Sequence, residues 1–281
     1  MDAKKLYAQL EKDFIKPGLS DDWAGYMQEV SDFICDNFKK RSMGLVCDNA
    51  SEIKRVYTAV FPSDEVMKKI LKKGEKDILL FVHHPSIWDI RKAPNVFQQM
   101  DKKLLERFRE NRISVYNLHV PLDNYSAYST SYTLAKALGL KDLKPCTPYF
   151  GGLAGVVGKT ALTLDELRGK FEKKVGHRVS LYAYGGEIKD GLVAIAAGGG
   201  NQVEALQEIK EKGVHTFITG IAARNSHSEP AHKYAEKNRI NILGGSHYST
   251  EVFACVEMCK YFKKLGLPCK FIKDTPVLED M

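Results

Sequence analysis

Two histidines stand side by side at the end of an apolar segment, in the sequence FVHHPSIWD (81–89). The run ILLFV that ends at Val82 has the composition of a buried strand, and Pro85 redirects the chain shortly afterwards. Imidazole is an acid–base group near neutral pH and the commonest side-chain ligand of metals. In continued extended geometry the rings of His83 and His84 would point to opposite faces of a sheet. Either one ring is buried and the other solvated, or the strand ends at Val82 and both rings face a common ligand.

Two further strand ends carry residues of the same chemical kind. The segment VYNLHVPLD brings His119 and then Asp123, and the segment ILGGSHYSTE brings His247 and then Glu251 after a glycine turn. At the start of a helix, the four-residue spacing of the second pair puts imidazole and carboxylate on one face, one turn apart, as two ligands of a common ion require. Four of the eight histidines of the chain lie at these three strand ends, so this residue type is concentrated there.

Each of these pairs also has an ordinary structural explanation. Adjacent histidines after a strand often serve packing alone, and a glutamate in the first turn of a helix is favoured by the helix dipole. The three pairs together are stronger evidence for a binding site, because ligands of α/β proteins bind at the carboxyl ends of the strands. The combination favours a site for transition-metal ions over a set of independent structural roles.

The elements that would position these residues alternate along the chain between strand-like and helix-like patterns. Strands are predicted at 44–47, 55–61, 78–82, 113–118, 180–184, 192–197, 215–219 and 240–243. Helices are predicted at 6–14, 24–38, from about 63, and at 95–109, 126–138, 164–174, 202–212, 229–238 and 248–265. The glycine-rich segment 146–160 indicates antiparallel strands or a loop. This alternation predicts an α/β fold with helices on both faces of each sheet.

The composition of the chain limits the binding partners and the cellular compartment that can be expected. The 281 residues carry a formal charge of +7, but the lysines are interleaved with apolar residues, as in MKKILKKGEK, which indicates solvated helix faces. No nucleic-acid-binding motif accompanies them, so nucleic acid is not expected as a partner, whereas a basic surface could attract a phosphorylated small molecule. No run of eighteen apolar residues and no signal-peptide pattern occurs. The six scattered cysteines form no CxxC pair, although Cys255 and Cys259 are spaced to meet on a helix. A reduced, cytoplasmic protein without a membrane segment is expected.

A glycine run at 198–200 lies between a predicted strand and a predicted helix. Exposed amides there could hold an anion such as a triphosphate. Equally, the run could be a tight turn in which side chains do not fit. His177, His215 and His232 lie outside the three strand ends and are expected to be structural or surface histidines.

The segments EIKRVYTAVFPSDEVMKKILKKGEKDILLFVHHPSIW, VYNLHVPLDN, AIAAGGGNQVEAL, FITGIAAR and NILGGSHYSTE together resemble the NGG-interacting-factor-three-like family. Some members of that family bear the name type 2 GTP cyclohydrolase I. The resemblance runs in order from about residue 44 to residue 275. One departure is Ile221, where many members carry an acidic residue after the threonine–glycine pair.

The resemblance implies one family domain over 1–281, built from two interleaved α/β lobes with a dinuclear metal site in the cleft between them. Lobe one would cover about 1–125 plus 245–281, and lobe two about 126–244. It further implies a toroidal homohexamer and a possible acid–base role for His119. The implied metal ligands are His83, His84, Asp123, His247 and Glu251. Three imidazoles and two carboxylates suit two divalent ions such as zinc, iron or manganese better than calcium or magnesium.

Two classes of function follow from these features. The first is a metal-dependent hydrolase of a nucleotide or another phosphorylated heterocycle, of the GTP cyclohydrolase I type 2 kind. The second is a non-catalytic metal-binding ring protein with a regulatory, metal-handling or partner-binding role. Five ligands for two ions leave positions for water, which favours the hydrolase.

Overall fold

The computed structural model describes residues 1–281, with ten α-helices, thirteen strands and several short 3₁₀ turns. The helices are α1 Ala3–Phe14, α2 Asp36–Arg41, α3 Asp64–Leu71, α4 Lys102–Glu110, α5 Val120–Asp123, α6 Thr130–Leu138, α7 Leu164–Val175, α8 Val203–Glu211, α9 Glu229–Lys237 and α10 His247–Lys264. The strands are β1 Gly44–Cys47, β2 Arg55–Ala59, β3 Ile78–Val82, β4 Ile87–Trp88, β5 Phe97–Gln98, β6 Ile113–Asn117, β7 Lys141–Tyr149, β8 Gly152–Lys159, β9 Ser180–Tyr182, β10 Leu192–Ala196, β11 Thr216–Thr219, β12 Asn241–Gly244 and β13 Cys269–Phe271.

The chain divides into two compact units, each assembled from separate stretches of sequence. The first unit comprises Met1–Leu122 and Cys255–Thr275, and the second comprises Asp123–Ala254 and Pro276–Met281. Helix α10 therefore begins in the second unit and ends in the first. None of the helices combines the length and the apolar character that crossing a bilayer demands.

The first unit is built on a five-stranded sheet in the order β1-β6-β3-β2-β13. Strands β6, β3, β2 and β13 run parallel, and β1 pairs with β6 in the antiparallel direction. Every residue of β3 and β6 is buried, as expected for central strands covered on both faces. The two strands end side by side, because Val82 pairs with Asn117. The residues that follow them therefore enter the same region.

The second unit has a six-stranded sheet in the order β7-β8-β10-β11-β12-β9. Strands β10, β11 and β12 are parallel. Strand β8 pairs with β10 and strand β9 pairs with β12, both in the antiparallel direction. The segment 146–160 forms most of the β7–β8 hairpin, the first of the two structures predicted for it. At the carboxyl ends of the parallel strands, Ala196 pairs with Thr219 and Thr219 with Gly244. This α/β organisation confirms the predicted fold class.

Helix boundaries follow their capping residues. The side chain of Ser63 accepts the amide of Val66 at the start of α3, and Gly139 ends α6 in the left-handed conformation at φ 75°. Asp101 accepts the amide of Leu104, and that cap starts α4 at Lys102.

Two predicted helices were wrong in part. The expected helix 24–38 is instead two 3₁₀ turns, Trp23–Tyr26 and Gln28–Phe33, followed by α2. Its apolar residues keep the three-to-four-residue spacing that 3₁₀ turns share with an α-helix, so the pattern did not distinguish the two. The expected helix 95–109 begins only at the Asp101 cap, and its first residues include β5, which pairs with β4. The short edge strand β13 was not predicted.

Candidate metal centre

The carboxyl ends of β3 and β6 bring three histidines together in the first unit. His83 and His84 follow β3 directly, and their ring centroids lie 4.4 Å apart. The ring of His119, which follows β6, lies 4.7 Å from that of His84 and 5.2 Å from that of His83. All three are buried, and their ligand nitrogens lie within 4.8 Å of one another. The structure thus agrees with the arrangement in which the strand ends at Val82 and the rings of His83 and His84 are both buried in the same region.

Hydrogen bonding fixes the tautomer of His83. Its Nδ1 lies 3.0 Å from the carbonyl oxygen of Leu118, and a carbonyl only accepts, so Nδ1 carries the proton. The lone pair is then on Nε2, the nitrogen available to an ion. The side-chain amide of Asn117 donates to the carbonyl of His83 and holds its backbone.

His119 is oriented by a carboxylate that the sequence analysis did not identify. Its Nδ1 lies 3.1 Å from Oδ2 of Asp21, and the same oxygen accepts the amide of Val120 at 3.3 Å. The side chain of Asp21 is 1% exposed. A carboxylate that accepts the proton of one ring nitrogen leaves the other as a lone-pair donor, an arrangement typical of metal-ligating histidines. Asp21 is 98 residues from His119 in the sequence, and no local pattern links them.

Aromatic side chains enclose the three imidazoles. The indole of Trp23 meets His84 edge-on at 5.4 Å and His119 at 5.2 Å, and Phe61 lies 4.9 Å from His84. These rings keep water away from the histidines. Three imidazolium charges so close together in a dry site would repel one another strongly, whereas three neutral rings offer lone pairs to an ion. The donor set of the first unit therefore fits a divalent transition metal.

In the second unit, His247 and Glu251 form a buried pair on the first turn of α10. The Nε2 of His247 lies 3.2 Å from Oε1 of Glu251, and the two side chains are 6% and 3% exposed. The backbone amide of His247 donates to Oδ2 of the buried Asp280 at 2.9 Å. The backbone carbonyl of Asp280 accepts the amides of Ala222 and Ala223. The segment near the end of the sequence thus anchors the start of α10, a role that the sequence analysis did not assign to it.

The glycine run after β10 packs against this pair. Gly198 has φ +70°, and a Cβ there would overlap Oε1 of Glu251 and lie 3.2 Å from Nε2 of His247. Its amide donates to Oγ1 of Thr250 at 3.0 Å, and its carbonyl accepts the amide of Gly220 at 2.9 Å. Because these groups are already used within the protein, the structure favours the tight-turn interpretation of Gly198 over anion binding. A hydrogen atom in place of a side chain leaves room beside the histidine and the glutamate.

Asp123 ends the short helix α5, and its side chain is held in the second unit. Oδ1 of Asp123 accepts the hydroxyl of Thr130 at 2.7 Å, and the residue is 7% exposed. A carboxylate is the kind of ligand that divalent cations take in proteins. The second unit therefore contains one imidazole and two carboxylates of the types that bind divalent ions. Of these, His247 and Glu251 lie in contact with each other, and Asp123 is held by Thr130.

The histidines predicted to be structural have ordinary partners. Nδ1 of His177 donates to the carbonyl of its neighbour Arg178, and Nδ1 of His215 donates to the carbonyl of Arg239. His232 is buried, donates from Nε2 to a backbone carbonyl and accepts the hydroxyl of Tyr184 at Nδ1. Burial lowers the pKa of His232, which keeps it neutral.

An α/β chain with buried imidazoles and carboxylates at strand ends belongs to the class of candidate metalloproteins. The sequence profile of the Duf34/NIF3 (NGG1p interacting factor 3) family matches residues 22–276. The chain belongs to that family, which confirms the resemblance. The match begins at residue 22 rather than near 44, so it includes Trp23.

Relatives and solved structures are consistent with this assignment. A GTP cyclohydrolase 1 type 2 homolog from Borreliella burgdorferi is 27% identical over 203 residues, covering 72% of this chain and 77% of its own. The protein of the same name from Pyrococcus abyssi is 29% identical over 246 residues, covering 84% and 90%. Reduced HcgD from Methanocaldococcus jannaschii is 26% identical and superposes with a TM-score of 0.70 over 98% of both chains. This chain therefore shares its fold with HcgD.

Proposed function

We propose that this protein binds two divalent metal ions in one dinuclear centre and is a metal-dependent hydrolase. Its substrate is a nucleotide or another phosphorylated heterocycle, in the manner of a type 2 GTP cyclohydrolase I. The observation that carries the proposal is the cluster of three buried imidazoles, two from the proposed ligands His83 and His84 and one from His119, whose ring nitrogens lie within 4.8 Å of one another. The proposed ligands are the five that the resemblance implied, His83, His84, Asp123, His247 and Glu251.

The proposed centre combines three imidazoles and two carboxylates. Imidazoles and carboxylates together suit zinc, iron or manganese, whose preferred ligands are of these types. Two carboxylates offset part of the charge of two divalent ions. A pair of such ions supplies hydrolytic chemistry at neutral pH, because it lowers the pKa of water toward ~7.

His119 is the proposed acid–base group. Asp21 holds the proton on Nδ1, so proton exchange takes place at Nε2. A neutral Nε2 accepts a proton from a nucleophile, and the resulting imidazolium is stabilised by the carboxylate of Asp21 before the proton passes to a leaving group. Trp23 and Phe61 limit the access of bulk water to the neighbouring rings.

The substrate class rests on the names of the relatives and on charge. The Borreliella burgdorferi and Pyrococcus abyssi proteins carry the GTP cyclohydrolase name, which makes GTP the first compound to test. The formal charge of +7 favours an anionic substrate. All six cysteines are free thiols, which supports a place in the reducing cytoplasm.

A turnover assay tests this proposal. The purified protein is loaded in turn with Zn²⁺, Mn²⁺ and Fe²⁺ and incubated with GTP, the other nucleoside triphosphates and simple phosphoesters. Hydrolysis of GTP or of a related nucleotide that depends on added metal is expected, with a rate that rises with pH around ~7. Failure of every fully loaded form to turn over any compound would support the non-catalytic alternative, a metal-binding protein with a regulatory, metal-handling or partner-binding role.

A further inference from the structure

Two buried cysteines meet in the first unit, away from the histidines. Cys259 lies on α10 and Cys269 begins the edge strand β13. The S–H of Cys269 donates to Sγ of Cys259 across 3.2 Å, and the two residues are 8% and 7% exposed respectively. This contact differs from the helical pairing of Cys255 with Cys259 that the sequence suggested. The thiol of Cys255 donates instead to the carbonyl of Ala59.

The surroundings make Cys259 the more nucleophilic of the two thiols. The hydrogen bond from Cys269 lowers the pKa of the Cys259 thiol, and the positive charge of Lys263 acts in the same direction. Lys263 follows Cys259 by one helical turn on α10. The same hydrogen bond, together with burial, raises the pKa of Cys269, so Cys269 stays protonated. The thiolate is the reactive form of cysteine, so Cys259 reacts first.

The geometry points to a reversible disulfide between Cys259 and Cys269 that forms when the protein meets hydrogen peroxide. In the first step the Cys259 thiolate attacks one peroxide oxygen, the O–O bond breaks, and a sulfenic acid and hydroxide result. In the second step the sulfur of Cys269 attacks the Cys259 sulfur, loses its proton, and water leaves. The sulfurs are oxidised by two electrons and the peroxide is reduced to water. An external dithiol reverses the reaction by exchange.

The two sulfurs need only a small movement to form a bond. They must approach from 3.2 Å to the disulfide distance of about 2.0 Å. The turn between α10 and β13 contains Gly266, where an added Cβ would meet no other atom within 4 Å. The bond would tie the end of α10 to the edge of the sheet in a short loop. Because both thiols are less than a tenth exposed, a small oxidant reacts with them more readily than a bulky disulfide such as oxidised glutathione.

Peptide mapping of the intact native chain tests the proposal without any substitution. The protein is treated with hydrogen peroxide, its remaining thiols are alkylated, and the digest is analysed by mass spectrometry. We expect a peptide pair joined through Cys259 and Cys269, loss of two of the six free thiols, and full recovery with dithiothreitol. A cross-link between other cysteines, or a sulfinic acid on Cys259 beside an unmodified Cys269, would overturn the proposal.

Variants separate the roles of the two thiols. Cys269→Ser is expected to accumulate a sulfenic acid on Cys259 that dimedone traps, and Cys259→Ser to slow the oxidation of Cys269 at least about tenfold. Cys35→Ser, a control at the most exposed cysteine, is expected to form the same cross-link as the native chain. Oxidation of Cys269 at the native rate in Cys259→Ser would contradict the assignment of Cys259 as the nucleophile.

Discussion

The Nδ1 proton of His119 is held by a carboxylate from a distant part of the sequence, Asp21, at 3.1 Å. If His119 is the acid–base group, His119→Ala keeps most of the bound metal and loses activity by about 10²–10⁴-fold. Asp21→Asn leaves the ring in place with weaker control of its tautomer, and we expect a loss of about 10–100-fold. Both are measured as kcat with fully loaded protein, alongside metal content.

The neighbouring Asp22→Asn is the matched control, because Asp22 is exposed and its backbone amide, which donates to Oδ1 of Asp21, is kept in the variant. It is expected to behave like the native protein. Loss of metal from His119→Ala would show that His119 is a ligand rather than a proton carrier. Equal activity in Asp21→Asn and the native protein would contradict the orienting role of Asp21.

At the scale of single residues, the sequence singled out the candidate ligands and missed the residues that orient them. His83, His84 and His119 could be singled out because they follow apolar strands, and strand ends meet at one edge of a parallel sheet. Asp21 and Asp280 could not be singled out in this way. Each accepts a hydrogen bond from a histidine that is distant in the sequence, His119 and His247 respectively. No spacing rule relates residues that far apart.

At the scale of elements, the turn after β10 is expected to tolerate no side chain at Gly198. Gly198→Ala would place a methyl group against Oε1 of Glu251 and beside Nε2 of His247, so we expect bound metal to fall and the thermal midpoint to drop. Gly213→Ala is the control: Gly213 has φ +74°, close to the +70° of Gly198, but nothing lies within 4 Å of its added Cβ.

Both glycine substitutions add backbone strain of about 1–2 kcal/mol, because each puts a Cβ in the left-handed region. Only Gly198→Ala adds the clash with the candidate ligands. A comparison of the metal content and thermal midpoint of the two variants therefore measures the effect of the contact with Glu251 and His247 alone. Equal metal content in the two variants would show that the turn does not shape the site.

The amino ends of β2, β3 and β6 are tied together by an ion cluster around Asp77. Its carboxylate lies 2.5 Å from Nε of Arg112 and 2.6 Å from Nζ of Lys54, and these partners hold the pKa of Asp77 well below its usual range. Because the folded-state pKa is depressed, the stabilisation is present above the unfolded value of ~3.9 and is lost as pH falls below it.

Asp77→Asn should therefore lower stability by about 1–3 kcal/mol at pH 7, with a difference that shrinks toward zero as pH falls below about 4. Asparagine accepts the positive φ of 61° at this position, so backbone strain does not confuse the comparison. Urea melts at several pH values measure the effect. A difference from the native protein that stays constant with pH would exclude ionisation of Asp77 as its source.

The helices and strands were predicted correctly where the hydrophobic pattern and the capping residues indicated the same limits. The strands β3 and β6 and the helices α3 and α6 were placed within a few residues, because apolar runs and residues such as Ser63 and Gly139 mark their limits. The prediction failed at 24–38, where 3₁₀ turns share the helical spacing of apolar residues. Strand β13 has only three residues, and its pairing with β2 comes from long-range contact rather than from its own pattern.

At the scale of the whole molecule, we propose assembly as a homohexamer, as the family resemblance implied. Light scattering coupled to size exclusion should give a mass of about six times 31.6 kDa for the native protein. A ring of this kind is closed, so the mass should not grow with concentration. A single species of 31.6 kDa would contradict the proposed assembly.

The central claim is that the five proposed ligands hold two divalent ions in one dinuclear centre. Elemental analysis after dialysis tests it most directly, on the native protein, His84→Ala from the first unit, Asp123→Ala from the second, and His177→Ala as control. We expect about two ions per chain in the native protein and in His177→Ala, and well below that in each of the other two. Equal metal content in all four proteins would contradict the assignment. Loss of metal in only one of His84→Ala and Asp123→Ala would contradict a shared centre.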